Sequence, residues 1–224
     1  MTPPPASEAQ RVREADDPFA ALLGSPGVAE VLELRSQFGF MAFHGGALEE
    51  VTDVVASEAA AAAGASYYGV LHPPGLDLHL PSTRFRPTSS DALARFVGHV
   101  EVVVTVHGYG RRGRWTTLLA GGSNRSLAEH VARHLRPALP AYEIVAELDD
   151  IPDGLRGLHP DNPVNLPRLG GVQLELPPRV RGRSPLAPRP GPDGPSPPTR
   201  ALIVALAAAA RAWPTASPGA TMTP

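Results

Sequence analysis

The most constraining feature of the sequence is a run of β-branched residues that ends in a histidine. Residues 101–106 (EVVVTV) show no alternation between apolar and polar side chains. This pattern predicts a strand that is buried on both faces, as in a parallel sheet covered by helices. His107 and Gly108 follow directly. Because sites in such sheets form at the carboxyl ends of the strands, we expect His107 to lie at a functional edge.

Two other segments place chemically useful residues in the same way. Residues 38–43 (FGFMAF) predict a short buried strand that runs into His44 and two glycines. Residues 171–176 (GVQLEL) predict another strand, with Glu175 near its end. Further strands are predicted over 67–71, 116–120 and 141–147, and helices over 48–64, 88–97, 126–136 and 199–213. This alternation predicts an α/β fold with a mixed, largely parallel sheet flanked by helices.

The ends of the chain differ in composition from its middle. Nine prolines fall within the 22 residues from Pro177 to Pro198, which is incompatible with regular structure. We therefore predict a disordered N-terminal segment (1–17), a catalytic domain (18–181), a Pro-rich loop or linker (182–198), a helix packed on the domain (199–213) and a flexible tail (214–224).

Composition excludes several classes of site and partner. The chain has no Cys, so a catalytic metal must bind to His, Asp or Glu. The net charge of −2 offers no general attraction to nucleic acid or to anionic membranes. No segment approaches the roughly 20 apolar residues of a membrane span, and the N-terminus lacks the apolar region of a signal peptide. We expect a cytoplasmic monomer without nucleic-acid or membrane partners.

The segment HGGALE places a histidine just before a helix and a carboxylate in its first turn. His44 and Glu49, joined by His107 from a neighbouring strand, would supply three nitrogen and oxygen ligands and leave a fourth position open, as in catalytic zinc sites. A hydrogen-bonded turn histidine and a solvated Glu are the alternative. Glu175, flanked by apolar residues, needs a partner if it is buried. It suits a general base, although a Glu on an exposed edge strand remains possible.

The sequence resembles the poly-γ-glutamate hydrolase family of zinc peptidases. Four segments agree with the family pattern in order and spacing over residues 38–181: HGGALEEVT, LHLPSTRF, VVVTVHGYG and NPVNLPRLGGVQLEL. The resemblance implies a zinc carboxypeptidase-like core, with His44, Glu49 and His107 as zinc ligands and Glu175 as the general base. It also implies a substrate cleft lined by His79, Ser82, Thr83, Arg84, Asn162 and Asn165.

This sequence departs from the family pattern beside the cleft. Ala47 stands in place of a glycine, the pair Glu50-Val51 in place of Pro-Gly, and Pro177-Pro178 in place of Ser-Arg. None of these changes alters a proposed ligand or the proposed base. The chemistry implied by the resemblance is therefore retained, whereas the substrate preference is open to change.

Arginines in the matching loops fit an anionic substrate. Arg84, Arg111 and Arg168 lie in these loops, and guanidinium groups bind carboxylates at two points. We therefore expect a zinc-dependent hydrolase that cleaves the γ-glutamyl amide bonds of a glutamyl polymer. An amidohydrolase of small N-acyl amino acids and a non-catalytic binding protein with the same fold are the alternatives.

Overall fold

A seven-stranded mixed sheet forms the centre of the protein in a computed structural model that describes residues 7–184, 186 and 194–214. The strand order is β1-β3-β2-β4-β7-β5-β6. β1 and β3 are antiparallel, as are β5 and β7, and the other four pairings are parallel. The strands are β1 (Ala29–Glu33), β2 (Phe38–Gly46), β3 (Ser66–His72), β4 (Val102–Gly108), β5 (Thr117–Ala120), β6 (Glu143–Val145) and β7 (Gly171–Leu176). The predicted α/β fold with a largely parallel sheet is confirmed.

Helices cover both faces of this sheet. They are α1 (Glu8–Glu14), α2 (Pro18–Leu23), α3 (Thr52–Ala63), α4 (Asp91–His99), α5 (Arg125–Ala138) and α6 (Pro197–Ala212). In β2, Phe40 and Ala42 pack into the core formed with α3, α5 and α6. Met41 and Phe43 pack into a second core formed with α1, α2 and α4. Because both faces are buried, the central strands are apolar without alternation.

The N-terminal segment is more ordered than the sequence analysis predicts. The prediction of disorder over 1–17 is wrong for residues 8–14, which form α1. Ser7 caps this helix by accepting a hydrogen bond from the Gln10 amide. Val12 is buried in the second core, and the Ser25 hydroxyl donates to Glu8 at 2.9 Å. The amino-acid composition of the segment does not predict a single buried contact such as that of Val12. Residues 1–6 lie outside the described part of the chain.

The C-terminal helix α6 packs against α3 and α5, at the position where the sequence predicts a helix over 199–213. Its Thr199 hydroxyl donates to the carbonyl oxygen of Val180 at 2.7 Å. The Ala209 carbonyl lies 2.9 Å from Nε2 of His130 on α5. Of the predicted linker 182–198 and tail 214–224, residues 185, 187–193 and 215–224 lie outside the described chain. Among the described helices, none is both long and apolar enough to cross a membrane.

Candidate metal centre

Three adjacent parallel strands bring the candidate catalytic residues to one edge of the sheet. β2 carries His44, β4 carries His107 and β7 carries Glu175, each near the carboxyl end of its strand. His107 and Glu175 are paired in register across β4 and β7. All three side chains are at least 95% buried. The convergence expected from the sequence is therefore present in the fold.

A tight turn after β2 brings Glu49 back to this edge. Gly46 has φ 69°, and a Cβ atom there would lie 2.4 Å from the carbonyl oxygen of His72. This turn therefore requires glycine. The Glu49 amide then donates to the His44 carbonyl at 2.7 Å. The Thr52 hydroxyl donates to the Glu49 carbonyl, also at 2.7 Å, so that the carboxylate is fixed beside the strand ends.

The same turn contains a strained residue. Val51 has φ 79° and is the one non-glycine residue with a positive φ among the residues described. A β-branched side chain in this conformation costs about 1–3 kcal/mol. The resemblance described above implies a glycine at this position, where the left-handed conformation carries no such cost. Other contacts must therefore hold this turn in place.

The carboxylate of Glu49 lies among three imidazoles. Its Oε1 is 3.0 Å from Nδ1 of His44 and 3.3 Å from Nε2 of His79. Its Oε2 is 3.5 Å from Nδ1 of His107 and accepts a hydrogen bond from the Gly108 amide at 2.8 Å. Potential ligand atoms of His44, Glu49 and His79 all lie within 4.8 Å of one another. This group includes the predicted substrate contact His79 and not the predicted ligand His107, which lies beside the other oxygen of the carboxylate.

Hydrogen bonding leaves His44 ready to bind a cation. Its Nε2 lies 2.9 Å from the carbonyl oxygen of Leu80. A carbonyl can only accept, so Nε2 carries the proton and Nδ1 of the neutral ring has a free lone pair. This buried Nδ1 has no hydrogen bond, despite its approach to Glu49, and Nε2 of His107 is also buried without a partner. The unsatisfied Nδ1 of His44 beside the Glu49 carboxylate fits a metal ion.

The pKa values of the four ionisable groups at this site are shifted in opposite directions. Burial acts to raise the pKa of Glu49, but His44, His107 and His79 together hold that pKa well below its ordinary value. Burial lowers the pKa of His44, and Glu49 offsets this only in part. For His107, burial is outweighed by Glu49 and Glu175, so its pKa is raised. Burial raises the pKa of Glu175. Glu49 is thus the firmly ionised carboxylate, and Glu175 accepts protons more readily.

A chain of side-chain amides orients Glu175. The Val164 amide donates to Oδ1 of Asn162, which leaves Nδ2 of Asn162 to donate to Oε1 of Gln173 at 2.8 Å. Nε2 of Gln173 must then point the other way, and it donates to Oε1 of Glu175 at 2.9 Å. The backbone donor at the start of the chain fixes the direction of both amides.

A cavity of about 410 Å³ opens above these residues. Its wall includes four of the predicted substrate contacts, namely His79, Ser82, Thr83 and Asn162. His79 is loosely held, with 57% of its side chain exposed. Across the cavity, residues 153–155 and 157–159 complete the wall.

Four predicted substrate contacts lie away from the cavity wall. Arg168 precedes β7, so it lies at the opposite end of that strand from Glu175, where it pairs with Glu101 at 2.6 Å. Arg84 faces a separate depression beside Asp16 and Asp17. Asn165 donates to the backbone of residues 157 and 159 and supports that loop. Arg111 is exposed on the loop after β4. Among the residues described, the cavity wall contains no arginine.

Several residues of the wall are not among the site residues predicted from the sequence. Gln173 lies two residues before Glu175 and therefore on the same face of β7, so the alternation of a strand could have indicated it. Tyr109 directly follows the His107-Gly108 pair. His159 and Leu158 come from an irregular loop, for which the sequence contains no periodic signal.

Comparison with known proteins identifies the family. Residues 25–184 match the profile of the family described as poly-gamma-glutamate hydrolase. The chain belongs to this family. The predicted resemblance is confirmed, and the protein is a hydrolase. No curated protein matches the chain at a significant level.

Two solved structures share the fold. A bacteriophage poly-γ-glutamate hydrolase is 23% identical, with 83% of this chain and 89% of that chain covered and a TM-score of 0.65. The apo, zinc-free form of YNDL is also 23% identical, with coverages of 75% and 76% and a TM-score of 0.58. A metallo-carboxypeptidase from Burkholderia cenocepacia is more distant, at 11% identity and a TM-score of 0.48.

Proposed function

We propose that this family member hydrolyses γ-glutamyl amide bonds with a zinc ion held by His44, Glu49 and His107. The observation that carries the proposal is the buried carboxylate of Glu49, which is surrounded by imidazoles whose nitrogens are incompletely hydrogen bonded. His107 is chosen over His79 because it is buried on a strand, whereas His79 lies on a loop and is mostly exposed. Ligands on rigid elements hold a metal more accurately than ligands on loops.

Each residue has a separate role in the proposed reaction. Zinc, when bound, acts as a Lewis acid that polarises a carbonyl group and makes water more acidic. Glu175 accepts a proton from the attacking water and returns it to the leaving nitrogen. Its raised pKa favours this acceptance. His79, Ser82 and Thr83 offer hydrogen-bonding groups to the substrate from the opposite wall, while Asn162 supports Gln173 behind Glu175.

The proposed substrate is a glutamyl polymer, which presents a carboxylate on every unit. With no arginine in the described cavity wall, hydroxyl, amide and imidazole groups bind the unit at the reaction centre. Arg111 is positioned on the loop after β4 to meet carboxylates of more distant units. A cytoplasmic location and a monomeric state complete the proposal; cell fractionation and light scattering of the purified chain test them.

Metal content tests the ligand assignment directly. We expect about one zinc per wild-type chain, because three ligands with one open position form a catalytic site. His107→Ala is expected to lose the ion, whereas His79→Ala retains it and loses activity mainly through a higher KM. The measurements are zinc per folded chain by elemental analysis and hydrolysis of a γ-glutamyl oligomer. Zinc retained in His107→Ala but lost from His79→Ala would show that His79 is the ligand.

A further inference from the structure

Arg181 lies close behind the metal centre, although it does not line the cavity. It follows β7 by five residues, on a turn closed by hydrogen bonds from the Gly182 amide to Arg179 and from the Arg183 amide to Pro178, at 3.1 and 2.9 Å. This turn directs the Arg181 side chain back toward the end of β4. The segment that carries Glu175 therefore also supplies a partly buried cation.

The guanidinium of Arg181 occupies the space left by a missing side chain. A Cβ atom on Gly108 would lie 2.7 Å from Cζ of Arg181 and 2.8 Å from its Nη1. The amide of the same Gly108 donates to the Glu49 carboxylate. Arg181 thus packs against the residue that provides Glu49 with its backbone hydrogen bond.

The same guanidinium group also contacts the turn after β2. Its Nη1 donates to the carbonyl oxygen of Glu50 at 3.1 Å, and this carbonyl belongs to the peptide that leads into the strained Val51. A strained conformation persists only where surrounding contacts hold it. The bond from Arg181 is one such contact, located between the ligand Glu49 and the residue that carries the strain.

We propose that Arg181 is a positioning residue that fixes the Glu49 carboxylate for metal binding, by packing on Gly108 and bonding the Glu50 carbonyl. This inference rests on the proposed function, in which Glu49 is a ligand. Outer contacts of this kind orient metal ligands, and their loss weakens metal binding or activity by about 10–100-fold.

The charge of Arg181 makes the proposal sharply testable. Burial lowers the pKa of Arg181, while Glu49, Glu50 and Glu175 counteract this shift. A cation this close to a metal site repels a divalent ion. If Arg181 acted through its charge alone, its removal would strengthen zinc binding. If it acts by positioning Glu49, its removal weakens zinc binding, so the two roles predict opposite signs.

The first experiment compares Arg181→Met with Arg183→Met by competition for zinc against a chelator. Arg183 is the matched control, because it lies on the same turn but binds the Glu50 side chain in a half-exposed ion pair at 2.7 Å. We expect zinc affinity to fall about 10–100-fold in Arg181→Met and to change by less than about threefold in Arg183→Met. An unchanged or higher affinity in Arg181→Met would overturn the proposal.

A second variant reaches the same contact from the other side. Gly108→Ala displaces the guanidinium, which is the free end of a flexible side chain, and leaves the charge in the protein. The zinc affinity of the double variant Gly108→Ala/Arg181→Met is expected to equal that of the single variant with the lower affinity. The reason is that both substitutions remove the same contact, between Arg181 and Gly108. Fully additive losses would show that Arg181 and Gly108 act independently and would contradict the proposal.

Amide exchange in the metal-free protein separates this inference from the proposed function. We expect the amides of Glu49, Thr52 and Gly108 to exchange faster in Arg181→Met than in the wild type or in Arg183→Met. Failure of wild-type protein to bind zinc would refute the metal site. Faster exchange would still support the positioning role, and equal exchange rates in all three proteins would overturn it.

Discussion

The two sides of the cavity are built in different ways. On one side, His44, His107 and Glu175 extend from adjacent parallel strands and are almost fully buried. On the other side, His79 lies on an irregular segment and is exposed, and Ser82 and Thr83 lie on a short 3-10 helical turn and are partly exposed. The strand side combines ionisable groups whose pKa values are shifted in different directions, whereas the loop side mainly offers hydrogen-bonding groups.

This difference indicates a division of labour. Proton transfer and metal binding depend on small distances and on low exposure to water, which strands buried on both faces provide. Binding a polymer of repeating units requires groups that can adapt, which loops provide. Changes on the strand side are therefore expected to affect kcat or metal content, and changes on the loop side to affect KM.

The largest effect is expected from the strand side, at Glu175. Glu175→Gln keeps the size and polarity of the side chain but removes the proton acceptor, so kcat and kcat/KM should both fall by about 10²–10⁴-fold. Zinc content should not change. The measurement is γ-glutamyl hydrolysis and zinc content on the same folded sample. Near-normal turnover with zinc present would show that Glu175 is not the base, and loss of zinc would show that it is a ligand.

An intermediate effect is expected from His72, at the end of β3 on the strand side. Burial lowers the pKa of His72 to about 4, whereas an unfolded histidine titrates near 6.5. As the pH falls from 6.5 to 4, His72 binds a proton in the unfolded chain but stays largely neutral in the folded protein. The folded state therefore loses up to about 3 kcal/mol over this interval.

His72→Gln should remove this loss. Unfolding by urea at pH 7 and at pH 4 measures the change in unfolding free energy for wild type and variant. His99→Gln, which changes a histidine bonded to Arg35 outside the site, is the control and should behave as wild type. If His72→Gln loses as much stability on acidification as the wild type, burial does not keep His72 neutral.

The smallest effect is expected on the loop side. Ser82→Ala removes one hydroxyl from the cavity wall, and a single neutral hydrogen bond is worth about 0.5–1.5 kcal/mol. KM for a γ-glutamyl oligomer should therefore rise about 2- to 10-fold, with kcat nearly constant. Steady-state kinetics separate the two constants. A fall in kcat without a change in KM would place Ser82 with the chemical groups and remove the distinction between the two sides.

The strand side could be predicted from the sequence because its information is local. An uninterrupted apolar run predicts a buried strand, and a polar residue near its carboxyl end is expected to lie at the sheet edge. This rule predicts the positions of His44, His107 and Glu175. The resemblance to the family then indicated their roles. The same rule excludes Arg168 from the substrate cleft. Arg168 precedes β7 and therefore lies at the amino end of that strand, whereas Glu175 lies near its carboxyl end.

The loop side could not be predicted in the same way. The approach of His79 to Glu49 depends on how residues 73–81 fold across the sheet edge, and no periodic pattern encodes that path. Arg84 and Asn165 are close in sequence to residues of the cavity wall, but their side chains point to other contacts. The helix α1 was missed for a similar reason, since its order depends on tertiary contacts of Val12 and Glu8.

The amide chain behind Glu175 gives this carboxylate two unequal oxygens. Oε1 accepts a hydrogen bond from an amide group that can only donate, which favours Oε2 as the site of an incoming proton. If Glu175 is the base, as proposed, its Oε2 is the oxygen free to meet a water molecule. Reversing the Gln173 amide would require breaking its bond with Asn162. The Val164 amide, which does not contact Glu175, therefore determines which oxygen of that carboxylate is left without a side-chain hydrogen bond.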